Sequence, residues 1–186
     1  GVGVAKADLV IEAIFENLEA KQALYKNVEA QFHAGELLAT NTSSIPLDAL
    51  STAVARPGQF LGLHFFNPVA LMGLVEVVHG PRTDPLTIDA AVTLAKRLGK
   101  TPVVVKDSPG FVVNRLLCPM LNEAVLAYGE GIATAEDIDN AMKLGCNHPI
   151  GPLALCDLIG LDVVLAVMQV FHRDFNNPKY RPAPLL

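Results

Sequence analysis

Two titratable side chains stand in stretches that packing alone would fill with hydrophobes. His64 lies in the apolar run 61–66 and Glu76 in the apolar run 74–78, and Asn67-Pro68 starts a turn between them. If both runs are strands that end near each other, imidazole and carboxylate meet. A carboxylate that orients a histidine and stabilises its cation makes a general base that works near pH 7. The same residues also fit a core histidine satisfied by a backbone carbonyl and a glutamate at a surface or edge. Their spacing leaves both readings open. His33, His79, His148 and His172 show no ligand spacing with one another, and no metal site is suggested.

Other polar groups fall where α/β proteins gather ligands. Asn41-Thr42-Ser43-Ser44 follows an apolar stretch that reads as a strand. The rim beyond the carboxyl ends of parallel strands is the usual ligand-binding edge. Hydroxyl and amide groups there, Ser43 among them, suit a substrate oxygen or a cofactor, and equally suit capping of the helix near Pro46. Glu16 and Asn17 occupy the same position after the first strand, with the same two readings. Asn114 falls on the first turn of a helix just past a domain boundary. It is either an amide turned toward an interdomain cleft or a surface polar residue beside Arg115.

The elements that must position these groups follow from periodicity and punctuation. Residues 7–14 read as a buried strand with Glu12 its polar exception, and Asn17 as the N-cap of a helix over 18–32 that Gly35 closes. Residues 37–40 form a second strand, 46–53 a short helix, and 61–66 and 74–78 the two strands above. Asp84, Pro85 and Gly99 frame an amphipathic helix that leads into a strand over 101–105. This order predicts an α/β layer with a largely parallel sheet. After residue 107 the strand pattern stops. Helices are expected over 111–128 and over 134–144 with a near capping box at Thr134 and Asp137, and 151–175 reads as either one helix or two divided at Gly160. The tail, 176–186, reads as irregular.

Composition narrows the class. With 186 residues and a hydrophobic fraction of 51%, the chain can bury a substantial core. Net charge is −5 and the Lys and Arg residues are scattered, which argues against a nucleic-acid surface. Three cysteines without CxxC spacing suggest structural thiols in a reducing compartment rather than a zinc site or a disulfide framework. No run has the length of a membrane span, and no secretory signal is visible, so a cytoplasmic setting is expected. Gly1-Val2-Gly3 carries no weight as a phosphate loop, since no strand precedes it and no third glycine follows in place.

Taken together, several segments resemble the 3-hydroxyacyl-CoA dehydrogenase family: ADLVIEAIFEN (7–17), TNTSSIPL (40–47), GLHFFNPVALMGLVEVV (62–78), GKTPVVVKDSPGFVVNRLL (99–117) and EDIDNAMKLGCNHPIGPLALCDLIGLD (136–162). HFFNP with LVEV downstream is the most specific of these. KYRPAPLL (179–186) and the wording of the helical part look most like the family's short-chain members.

The resemblance implies an NAD-dependent, or alternatively NADP-dependent, oxidation of the (S)-3-hydroxyl of an acyl-CoA, or the reverse reduction, with 3-hydroxybutyryl-CoA and acetoacetyl-CoA as the short-chain pair. By position it makes His64 the general acid/base and Glu76 its partner, with Ser43 and Asn114 at the reacting oxygen. Glu16, Lys21, Ser43 and Asn67 match cofactor-contacting positions. Histidine's ordinary pKa of about 6.5 suits proton transfer in either direction. The fold implied is an incomplete Rossmann-type sheet over 1–107 followed by a helical substrate and dimerisation domain over 108–186, working as a homodimer.

One departure accompanies the match. The family opens with a strand, a G-x-G-x-x-G loop and a helix whose N-terminus holds a pyrophosphate, and the sequence shows none of these. The chain is therefore expected to be truncated at its N-terminus and after Leu186. Two further readings stand beside the first: a non-catalytic dimerising unit, and a related dehydrogenase acting on a free hydroxy acid.

Overall fold

A computed structural model describes residues 3–33 and 35–186. Gly1 and Val2 lie outside the described residues, and with them the Gly1-Val2-Gly3 run. The chain divides into two compact units, Gly1–Phe111 and Val112–Leu186.

The first unit is a five-stranded sheet in the order β1 (Leu9–Glu12), β2 (Leu37–Thr40), β3 (Phe60–Phe65), β4 (Leu74–His79), β5 (Thr101–Lys106). Neighbours are parallel except β3 and β4, which run antiparallel. Helices α1 (Leu18–Glu29), α2 (Leu47–Ser51) and α3 (Pro85–Arg97) make the parallel crossovers. The antiparallel pair needs no crossover and is joined by the loop that starts at Phe66 and Asn67. β3 is buried from Phe60 through His64 because both of its faces are covered. Leu61, Leu63, Val75 and Val77 pack with Ala91 and Ala95 of α3 on one face. Phe60 and Val78 pack with Tyr25 and Val28 of α1 and Leu47 and Leu50 of α2 on the other. Side chains alternate along a strand, so His64 and Glu76 share the second face with Phe60 and Val78.

Local signals explain the element ends. Asn17 caps α1 by accepting from the Ala20 N–H at 2.9 Å. Asp84 stands at the N-cap position of α3, but its side chain makes no capping bond. Gly99, at φ +73°, takes the left-handed position just past the end of α3. The strands and helices that periodicity predicts are all present, most of them a residue or two different at each end. The largest differences are β1, four residues instead of eight, and α1, which ends at Glu29 instead of residue 32.

The second unit is helical: α4 (Val113–Gly129), α5 (Ala135–Gly145), α6 (Pro152–Ile159) and α7 (Leu161–Phe175). Thr134 caps α5, accepting from the Asp137 N–H and donating to the Asp137 carboxylate. Of the two readings for 151–175, the structure has two helices divided at Gly160. Its φ of +103° is a conformation that favours glycine, and α6 and α7 meet there at 97°. The tail packs on α4, with Asn122 bonded to Arg181 O and Ala183 N. Among the described residues no single helix is long and apolar enough to cross a membrane.

One boundary needs correction. A helix was expected from residue 111, but α4 begins at Val113. Gly110 and Phe111 take left-handed φ values of +75° and +50°, which a right-handed helix cannot contain. The Phe111 ring is instead buried in the core of the sheet unit.

Candidate active site

The β3–β4 register places His64 directly opposite Glu76. Their side chains meet on the buried face, with Nδ1 of His64 2.8 Å from Oε2 of Glu76. An ionised carboxylate only accepts, so in the tautomer that suits Glu76 the hydrogen is on Nδ1 and a lone pair is left at Nε2. Nε2 lies 2.9 Å from the Ser43 hydroxyl, which donates to it in that tautomer. The ring is also held edgewise by two aromatic neighbours, Phe66 with centroids 4.6 Å away and Phe111 at 5.4 Å. One nitrogen is thus anchored and the other meets a hydroxyl at the carboxyl end of β3, the geometry of an oriented general base.

Ser43 belongs to a loop built around Glu16. Oε1 of Glu16 accepts from the Thr42 hydroxyl and the Ser43 N–H, both at 2.7 Å, and from the Ser44 N–H at 3.2 Å. Thr42 also accepts from Ile45 N, a bond within the loop. The capping role read for this loop is not found: the first N–H groups of α2, on Leu47 and Asp48, bond the Asp107 carboxylate instead. Asn41 ties the loop to the sheet by accepting from Phe65 N at 2.9 Å.

The other oxygen of Glu16, Oε2, pairs with the Lys21 ammonium at 3.2 Å. Lys21 is 1% exposed, on the buried face of α1 with Tyr25 and Val28. It also bonds Glu12 Oε1 at 2.7 Å and Ile14 O at 3.2 Å. Glu12, the polar exception on β1, is itself buried and accepts from Lys21, Ile14 N, the Tyr25 hydroxyl and the Thr40 hydroxyl. Burial alone would raise its carboxyl pKa, but these four donors outweigh burial and hold it below the ordinary 4.5. The Tyr25 phenol moves up instead, through burial and the Glu12 charge it faces.

Of the residues singled out from sequence, His64, Glu76, Ser43, Glu16 and Lys21 therefore join one hydrogen-bonded chain. Asn67 does not. It is exposed on the loop after β3, preceding Pro68 through a cis peptide. Asn114 lies on the first turn of α4, in the helical unit. Sequence reasoning gave no role to Glu12, Thr40, Tyr25 or Phe111. A signal existed for Glu12, a lone acid in a run of hydrophobes.

Residues 2–108 match the family model for the 3-hydroxyacyl-CoA dehydrogenase NAD binding domain, and residues 110–186 match that for the 3-hydroxyacyl-CoA dehydrogenase C-terminal domain. A probable 3-hydroxybutyryl-CoA dehydrogenase of Deinococcus radiodurans is 53% identical over 98% of this chain and 66% of its own length. The 3-hydroxybutyryl-CoA dehydrogenase of Clostridioides difficile is 51% identical over 96% of this chain and 64% of its own. Among solved structures, the (S)-3-hydroxybutyryl-CoA dehydrogenase of Ralstonia eutropha superposes with a TM-score of 0.96 at 52% identity, covering 98% of this chain and 65% of that one. The chain thus spans just under two thirds of the length of these relatives.

Proposed function

The chain belongs to the 3-hydroxyacyl-CoA dehydrogenase family, and on that premise we propose that His64 and Glu76 are the general acid/base dyad of an NAD-dependent dehydrogenase acting on a short-chain 3-hydroxyacyl-CoA. The observation that carries the reading is the unbroken chain from Glu76 through His64 to Ser43, at 2.8 and 2.9 Å.

Groups at the rim of the sheet support the cofactor reading. The Glu16 side chain is 38% exposed yet fixed on the Ser43 and Ser44 N–H groups, an acceptor suited to sugar hydroxyls. Glu16, Lys21, Ser43 and Asn67 are assigned to the cofactor. When bound, NAD supplies the acceptor for the hydride that leaves C3.

The remaining work falls to the protein's own groups. In the oxidative direction the substrate O–H bond breaks, its proton moves to Nε2 of His64, and the O–H electron pair forms the carbonyl. Glu76 accepts from Nδ1 throughout and stabilises the imidazolium. The Ser43 hydroxyl, displaced from Nε2 by the substrate, donates to the reacting oxygen as charge develops there. Asn114 is assigned to the same oxygen from its place in the PGFVVNR segment. Such acid–base assistance is worth roughly a hundred- to ten-thousandfold. The helical unit is assigned to homodimerisation, and the setting to the cytoplasm.

The test is acetoacetyl-CoA-dependent NADH oxidation by the full-length protein. Turnover that survives His64→Ala overturns the assignment. Faster turnover of acetoacetate than of its CoA thioester would favour a free hydroxy acid instead, and a preference for NADPH would reassign the cofactor. Dimerisation without turnover or NADH binding would leave a non-catalytic module.

A further inference from the structure

The buried ion pair beneath the site has no part in the proton transfer, yet it ends on a group that does organise it. Glu12 closes β1, Lys21 and Tyr25 come from α1, and Thr40 closes β2, so the Glu12 carboxylate is where three elements meet. Its two oxygens are divided. Oε2 serves the buried Tyr25 and Thr40 hydroxyls, and Thr40 in turn accepts from the Thr42 N–H at the start of the Ser43 loop, so of these partners Tyr25 alone bonds nothing in the loop. Oε1 serves Ile14 N and the Lys21 ammonium. Lys21 has three protons and three nearby acceptors: Glu12, Ile14 O and Glu16. With its side chain 1% exposed, it turns inward in this arrangement and acts as a bridge between the two carboxylates. Glu16, at the outer end of that bridge, holds the backbone N–H groups of Ser43 and Ser44, and the Ser43 hydroxyl sits on His64.

We infer that Glu12 is a positioning residue for this site. Through Lys21 it fixes the Glu16 carboxylate, and through Glu16 it sets the Ser43 loop against Nε2 of His64. For the reaction itself the inference rests on the proposed function, but the positioning is a property of the fold and can be read without turnover. A buried carboxylate with four donors holds its geometry far better than an exposed ion pair, which is what a support for a catalytic loop requires.

The alternative is that Glu12 only stabilises the fold, and Tyr25 separates the two. Tyr25→Phe removes a bond to Oε2 and leaves the Oε1–Lys21–Glu16 arm untouched. Glu12→Gln turns an amide toward partners that are all donors and weakens both arms. In the 186-residue chain, the Ser43 amide and His64 Nε2 resonances are expected to move in Glu12→Gln and to stay in place in Tyr25→Phe, at matched loss of thermal stability. In the full-length protein, Glu12→Gln is expected to lower kcat/KM and NADH affinity by about ten- to a hundredfold, the scale on which small misplacements act. Tyr25→Phe should leave both within about twofold, a surface-scale change. Glu12→Asp keeps Lys21 and the buried charge but draws the carboxylate back from its partners, so it remains informative where Glu12→Gln alone does not fold. It should displace the same two resonances.

Equal effects of Glu12→Gln and Tyr25→Phe on the two resonances, or none from either, would overturn the inference. Wild-type protein that binds no NADH and turns over no acetoacetyl-CoA would overturn the proposed function. It would leave the positioning role standing as long as the resonances still separate the two variants.

Discussion

His64 and Glu76 are register partners on the antiparallel ladder between β3 and β4, and their side chains bond at 2.8 Å on the buried face. Residues directly opposite on one face have Cβ atoms roughly 5 Å apart. The dyad therefore needs no loop to assemble it; strand pairing alone does so. Slipping either strand by one residue would turn one partner to the opposite face of the sheet.

Replacing the carboxylate tests the dyad most directly. Glu76→Gln keeps the shape but removes the charge that, in the proposed mechanism, stabilises the imidazolium. We expect kcat for acetoacetyl-CoA reduction to fall by about a hundredfold or more, with KM little changed. A Glu76→Gln enzyme with wild-type kcat in steady-state assays would remove Glu76 from the mechanism.

Gly62 is the next constraint on the register. It lies opposite Val78, and a Cβ there would stand 2.9 Å from the Val78 Cβ. Gly62→Ala should push β3 from β4 and destabilise the protein by about 1–3 kcal/mol, as overpacking does. Urea unfolding measures this, and an unchanged midpoint would mean the strands absorb the methyl without separating.

The Glu12 carboxyl has a definite pH signature. Its pKa is depressed in the folded state, so its contribution to stability is present above the ordinary value of 4.5 and is lost as pH falls through the lower folded value. The stability gap between wild type and Glu12→Gln should therefore be widest near neutral pH and shrink below about pH 4.5. Urea titrations across that range check the sign. A gap that widens on acidification would contradict the assignment.

The thiols should divide by burial. Burial, helped by Cys156, pushes Cys118 up to about 11, and burial with the Asp157 and Asp139 charges pushes Cys156 up to about 11. Cys146 is exposed. Iodoacetamide at about pH 8 should label Cys146 alone in native protein and all three thiols after unfolding, since thiolate is the reactive form. Intact-mass spectrometry counts the adducts, and rapid triple labelling of native protein would show that the helical core opens.

Much of this could be read in the sequence because it depends on local rules. Alternation and helical period located the strands and helices, Asn17 and Thr134 announced their caps, and Gly160 marked the place for a break. Phe111 could not be read that way. In sequence it continues an apolar helix, and only the left-handed turn at Gly110 and the room beside His64 take it out of α4. That Glu12 and Lys21 pair was not legible either, because a nine-residue separation across a strand-to-helix turn carries no fixed geometry.

What the sequence determined by itself is the chemistry on offer: a histidine and a carboxylate on apolar strands, hydroxyls beyond a strand end, and motifs specific enough to identify a family. The tertiary structure decided which of these groups touch. Hydrogen bonds act over about 3 Å, whereas Glu12 and Thr40, His64 and Ser43, and His64 and Glu76 are far apart along the chain. Strand register and helix docking alone close such gaps, and they are fixed by burial summed over the whole sheet rather than by any residue in the pair.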